Sequence, residues 1–103
     1  MVRVIATVKP FRARAVLQAL EGLDVFGGVV REVMGYGRQK NRLGRYLGSE
    51  FSASYLPKVE ITVFVADAEA PTVVRAIVAA ARTGRMGDGK IVVLPCLDEF
   101  ASW

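Results

Sequence analysis

Histidine is absent from this chain of 103 residues. That removes Ser–His and Cys–His nucleophile pairs, phosphohistidine chemistry and imidazole metal sites together, so no ordinary hydrolase machinery is available and a non-enzymatic role is expected. A single cysteine, Cys96, permits no disulfide within the chain and fits a reducing cytoplasm. Its neighbours Leu94, Pro95 and Leu97 mark it as a buried apolar thiol rather than a reactive one. No apolar run is long enough to cross a membrane. The first residues enter a strand pattern at once, without signal-peptide character, so a cytoplasmic location is expected. Internal linkers and low-complexity stretches are also missing. Residues 1–103 read as a single domain.

What is present in excess is apolar. Hydrophobic residues make up 52% of the chain and the mean hydropathy is +0.33, more than a lone domain of this size needs. Burial of part of that surface against other copies of the chain is one reading, a dense monomeric core the other. The net charge of +4 suits anionic partners such as phosphates, acidic protein faces or nucleic acid.

Val2, Val4, Ala6 and Val8 alternate with Arg3, Ile5 and Thr7, which predicts a first strand. Lys9-Pro10 ends it, and Pro10 opens a helix to about residue 22 along an approximate stripe of Phe11, Ala15, Leu17, Leu20 and Leu23. Gly22 stops that helix, and strand character returns from Val25 to Gly35. A third strand carries Val59, Ile61, Val63 and Val65. Asp67 is placed to cap a second helix with an apolar face of Val73, Val74, Ile77, Val78 and Ala81. Thr83-Gly84 ends it, and a fourth strand covers Ile91 to Leu94. The order βαββαβ is the ferredoxin-like arrangement of the α+β class, one sheet covered on a single face by two helices. The uncovered face, rich in Val and Ile, would be buried by packing sheets around an axis.

Two loops carry candidate chemistry. In Thr83-Gly84-Arg85-Met86-Gly87-Asp88-Gly89-Lys90 the glycines allow a tight turn that aims N–H groups at one point, with Arg85 and Lys90 adding charge. The spacing is not that of a Walker A loop, and no helix follows. Taken alone, a helix stop and a plain turn explain the segment better. Gly35-Tyr36-Gly37-Arg38-Gln39-Lys40 offers a similar backbone beside two cations and an amide. Two glycine-basic loops at the sheet ends favour a phosphate ligand. Between about Gly35 and Pro57 apolar periodicity is lost, as in a functional loop, and Arg38, Lys40, Arg42 and Arg45 face only Glu50. Tyr46 and Phe51 lie on no strand in an RNP-like pattern, which argues against nucleic acid.

In order and spacing, Lys9-Pro10-Phe11, Gly35 through Lys40, Leu56-Pro57-Lys58-Val59 and Ala80 through Ile91 resemble the PII nitrogen-regulatory signalling proteins. The resemblance runs over nearly the whole chain without a gap. It implies a homotrimer with ATP or ADP in the clefts between subunits, Gly35, Gly37, Arg38, Gln39, Lys40, Gly87, Asp88, Gly89 and Lys90 belonging to the phosphate-holding segments. It further implies that Gln39 meets both magnesium and 2-oxoglutarate, and that Lys58 pairs with a 2-oxoglutarate carboxylate. Residues 37–55 match the T-loop, between the second and third strands, which docks on ammonium transporters or nitrogen-assimilation enzymes.

The chain departs from that family at several positions. Tyr46-Leu47-Gly48-Ser49-Glu50-Phe51 stands where the family resembles Tyr-Arg-Gly-Ala/Ser-Glu-Tyr, so the tyrosine that is uridylylated in some members is Phe51, without a hydroxyl. Leu47 replaces an arginine associated with plugging a transporter pore. Ser49 has the group a phosphorylating enzyme needs, although a solvated serine is the plainer reading. Val29 stands for a threonine that meets adenine, Thr62 for a glutamate, and Phe100-Ala101-Ser102-Trp103 aligns where the family continues into an Arg-x-Arg segment. The expectation is nucleotide binding that is weakened or changed in preference. The alternative is a PII-derived trimeric interaction module whose nucleotide sensing is lost or altered.

Overall fold

The computed structural model describes residues 1–35 and 56–97. Four strands, β1 (Val2–Val8), β2 (Gly27–Gly35), β3 (Leu56–Val65) and β4 (Gly89–Pro95), alternate with α1 (Ala13–Glu21) and α2 (Ala70–Ala81) in the order expected. They form one sheet, ordered β2-β3-β1-β4, in which every neighbouring pair is antiparallel.

Alternation places Val4, Ala6 and Val8 of β1 and Ile61, Val63 and Val65 of β3 on one face, all buried. Val16 and Leu20 of α1, with Val73, Ile77 and Ala81 of α2, close over them. The four-residue spacing on both helices aligns these side chains along a single stripe. Each fully buried Val or Ile contributes roughly 1.5–3 kcal/mol, so the centre of the sheet is the anchor of the fold.

The structure departs from the sequence reading in local phase. Residues Pro10–Arg12 form a 3-10 turn before α1 begins. Val16 and Leu20, four residues apart on α1, face the core, while Phe11 and Leu17 are exposed. Asp67 likewise opens a 3-10 turn, Asp67–Glu69, and caps no amide with its side chain. Its carboxylate instead pairs with the amino group of Met1 at 2.7 Å. β2 begins two residues later than Val25, and β4 is longer at both ends than Ile91 to Leu94.

The face away from the helices is uncovered. Register aligns Val29, Thr62, Ile5 and Val92 in one row across all four strands, and Arg31, Glu60, Thr7 and Lys90 in the next. Arg31 Nη2 and Glu60 Oε1 form an ion pair of 2.6 Å within the second row. Val29 is 55% exposed and Val92 40%.

Candidate functional site

Antiparallel pairing brings the end of β1, the end of β2 and the starts of β3 and β4 to the same edge of the sheet. Val8 lies opposite both Val59 and Gly89, and Gly35 lies opposite Leu56. The loop from α2 to β4 closes over this edge. Four of the expected site residues in that segment (Gly87, Asp88, Gly89 and Lys90) are thereby gathered with Gly35 and Lys58. Gly37, Arg38, Gln39, Lys40 and Ser49 lie outside the described residues, as do Phe51 and residues 37–55 as a whole.

Backbone geometry explains the glycines. Gly84 and Gly87 both have φ of 84°, in the left-handed region where a β-carbon is strained. Gly89 combines φ of 143° with a close approach: a β-carbon there would stand 2.2 Å from the Thr7 carbonyl oxygen. Only glycine lets β4 leave the loop and pair at once with β1.

Lys58 is buried, and its Nζ donates to the Gly87 carbonyl at 2.6 Å. Burial pushes its ammonium below the usual lysine range and nearby Lys9 adds to this, while Asp88 opposes both. An incompletely compensated cation at the mouth of a glycine loop is an electrostatic invitation to an anion.

Asp88 is the internal counter-charge. Its Oδ2 accepts the backbone N–H groups of Thr83 at 2.7 Å and Gly84 at 2.8 Å. Its Oδ1 accepts the Thr83 hydroxyl and stands 3.1 Å from Lys9 Nζ. The Thr83 hydroxyl bond, the strongest influence, holds the carboxyl well below the usual carboxylate range; partial burial works against it, and the Thr83 amide, Lys9 and Gly84 support it. Lys9 also donates to Thr83 Oγ1 at 3.4 Å. Sequence reasoning did not name Lys9 and Thr83 as site residues. The signals available were a lysine at the end of a strand and a threonine five residues before an aspartate in a glycine loop.

Three lysines, Lys9, Lys58 and Lys90, thus share one sheet edge with the carboxylate of Asp88. Among the described residues no group of three or more Cys, Asp or Glu side chains is gathered as a metal would need. The arrangement is suited to holding an anion by backbone and ammonium groups.

Known proteins resemble this chain over most of its length. Residues 1–100 match the family model described as nitrogen regulatory protein P-II. The chain is 43% identical over 95 residues to the nitrogen regulatory protein P-II of Microchaete diplosiphon, covering 92% of this chain and 85% of that protein. It is 46% identical over 90 residues to the protein of the same name from Rhizobium etli, covering 87% and 80%. It is also 44% identical over 86 residues to the nitrogen regulatory protein GlnK of Escherichia coli, covering 84% and 77%. On the match over residues 1–100 and these identities over most of its length, this chain belongs to the P-II family of nitrogen regulatory proteins.

Proposed function

We propose that the protein is a homotrimeric cytoplasmic sensor that binds ATP or ADP between subunits and regulates a partner through residues 37–55. The observation that carries this reading is the under-neutralised edge cluster: Lys58 tied to the Gly87 carbonyl, beside Lys9 and the Gly87–Lys90 segment. Polyphosphate supplies the negative charge this edge lacks. A 2-oxoglutarate carboxylate is the ligand that Lys58, and Gln39 beyond the described residues, would take. Magnesium would come with the phosphates, held by Gln39 and phosphate oxygens, since the described residues offer no carboxylate cluster of their own.

The uncovered row of Val29, Ile5 and Val92 supports a trimer, because three such faces around an axis remove it from water. An ammonium transporter or a nitrogen-assimilation enzyme is the partner class that suits a nitrogen-regulatory family.

One observation favours the second reading, an interaction module with altered nucleotide sensing. Val29 and Thr62, both departures from the expected residues, are direct cross-strand partners. The expected hydroxyl at 29 and carboxylate at 62 are therefore both replaced at one place, where the Thr62 hydroxyl is the polar group that remains. Isothermal calorimetry with ATP, with ADP, and with ATP plus magnesium and 2-oxoglutarate separates the two. Saturable binding of nucleotide supports the sensor; no heat with any combination supports the module.

A further inference from the structure

The Thr83 and Gly84 amides lie near the start of the loop that joins α2 to β4, and a ligand can use neither. Both are taken by Asp88 Oδ2, at 2.7 and 2.8 Å. The other carboxylate oxygen accepts the Thr83 hydroxyl and pairs with Lys9 at 3.1 Å. The Arg85 amide then donates to Thr83 Oγ1 at 3.3 Å. One carboxylate thus ties the end of β1 to the end of α2, and it does so one residue away from both Gly87 and Gly89.

Such a carboxylate has no donor to offer a polyphosphate and repels it. We propose that Asp88 is a positioning residue, a built-in anion that folds the loop so that the Gly87–Lys90 backbone and the Lys90 ammonium meet the nucleotide phosphates, and that its carboxylate touches no ligand. This rests on the nucleotide reading above. It restricts that reading, because phosphate is confined to the Gly87–Lys90 end of the loop.

Two physical accounts of Asp88 predict opposite signs. As a bare charge it weakens phosphate binding by neutralising Lys9 and Lys58, and its removal tightens binding. As a positioning group its removal lets the loop disorder, and binding weakens even though the site has become more positive.

The test is calorimetry with ATP and with ADP on the full chain and on three variants, Asp88→Asn, Thr83→Val and Thr83→Ser. Loss of charge-assisted bonds that hold the loop should weaken binding by about ten-fold or more in Asp88→Asn and Thr83→Val. Thr83→Ser keeps the hydroxyl and should retain near wild-type affinity, an outcome a packing role for the threonine methyl would not give. If Asp88→Asn does not fold, the threonine pair carries the comparison alone. Unchanged or tighter nucleotide binding in Asp88→Asn, or equal affinities for Thr83→Val and the wild type, overturns the proposal. A lower melting temperature with wild-type affinity overturns it too, leaving only a structural staple. Wild-type protein that takes up neither nucleotide sinks the nucleotide reading and this inference together; wild-type binding with unaffected variants sinks the inference alone.

Discussion

The Lys58 ammonium donates to the Gly87 carbonyl at 2.6 Å, joining β3 to a loop 29 residues further along the chain. The bond satisfies one donor of a buried cation without supplying negative charge. A lysine whose folded pKa lies below its unfolded value makes the native state less favourable at neutral pH. Stability from this group rises as pH rises through the folded value, and the gain is complete above the unfolded value near 10.4. A bound carboxylate relieves the same deficit at neutral pH.

The first prediction follows from that deficit. 2-Oxoglutarate added with ATP and magnesium should raise the melting temperature beyond the effect of ATP alone, and Lys58→Met should abolish the increment. At a hundred times the dissociation constant the increment is about 2.7 kcal/mol. Thermal denaturation with each ligand measures it. A full 2-oxoglutarate increment in the variant would exclude Lys58 from the site.

Asp88 predicts the opposite limb of the pH profile. Its folded pKa is depressed, so its contribution is fully present above the ordinary aspartate value near 4 and is lost as pH falls toward the folded value. The groups that face it are Thr83 and Gly84 at the end of α2, Lys9 at the end of β1 and Lys58 on β3. Urea denaturation should find wild type more stable than Asp88→Asn by a constant margin from pH 8 to 5, a margin that shrinks below about pH 4. A margin unchanged down to pH 2 would mean that the carboxylate's charge is not what stabilises the loop.

The loop glycines should not be equivalent. Gly89→Ala drives a β-carbon into the Thr7 carbonyl in addition to its unfavourable φ, whereas Gly84→Ala meets nothing within 4 Å and suffers only from φ. Expected losses are about 2–4 kcal/mol for the first and about 1–2 for the second. Chemical denaturation ranks them; equal losses would mean that the β1–β4 edge yields easily.

The uncovered sheet face is testable by assembly. Val92 lies on the edge strand β4, already 40% exposed, so Val92→Asp should leave the protomer folded. It should break the trimer by placing a charge in the shared apolar interior. Light scattering during size exclusion should find three copies for wild type and one for the variant. A wild-type monomer at micromolar concentration would remove the trimer from the proposal.

Much of this fold was legible residue by residue. Alternation in Val2–Val8 and in Val59–Val65 requires strands with one apolar face, because side chains repeat every second residue whatever the strand pairs with. The stripe of Val73, Ile77 and Ala81 requires a helix on the same grounds, and the glycines at 84, 87 and 89 announced backbone that other residues resist. Which face of α1 is buried was not legible, since Ala15, Val16, Leu17 and Leu20 spread apolar groups around much of the helix and only packing against the sheet selects Val16 and Leu20.

By itself, then, the sequence determined element type, element order and the segments in which chemistry resides, since these follow from local dihedral preference and hydrophobic periodicity. Only the tertiary structure decided who serves whom at the site. Lys9 reaches Thr83 across 74 residues of chain, and Asp88, which reads as one more member of a glycine loop, turns inward to bind them. No local pattern encodes such a contact. It exists because antiparallel pairing of β1 with β3 and β4, and of β2 with β3, delivers four strand ends to one edge, where a buried cation and a carboxylate must find partners.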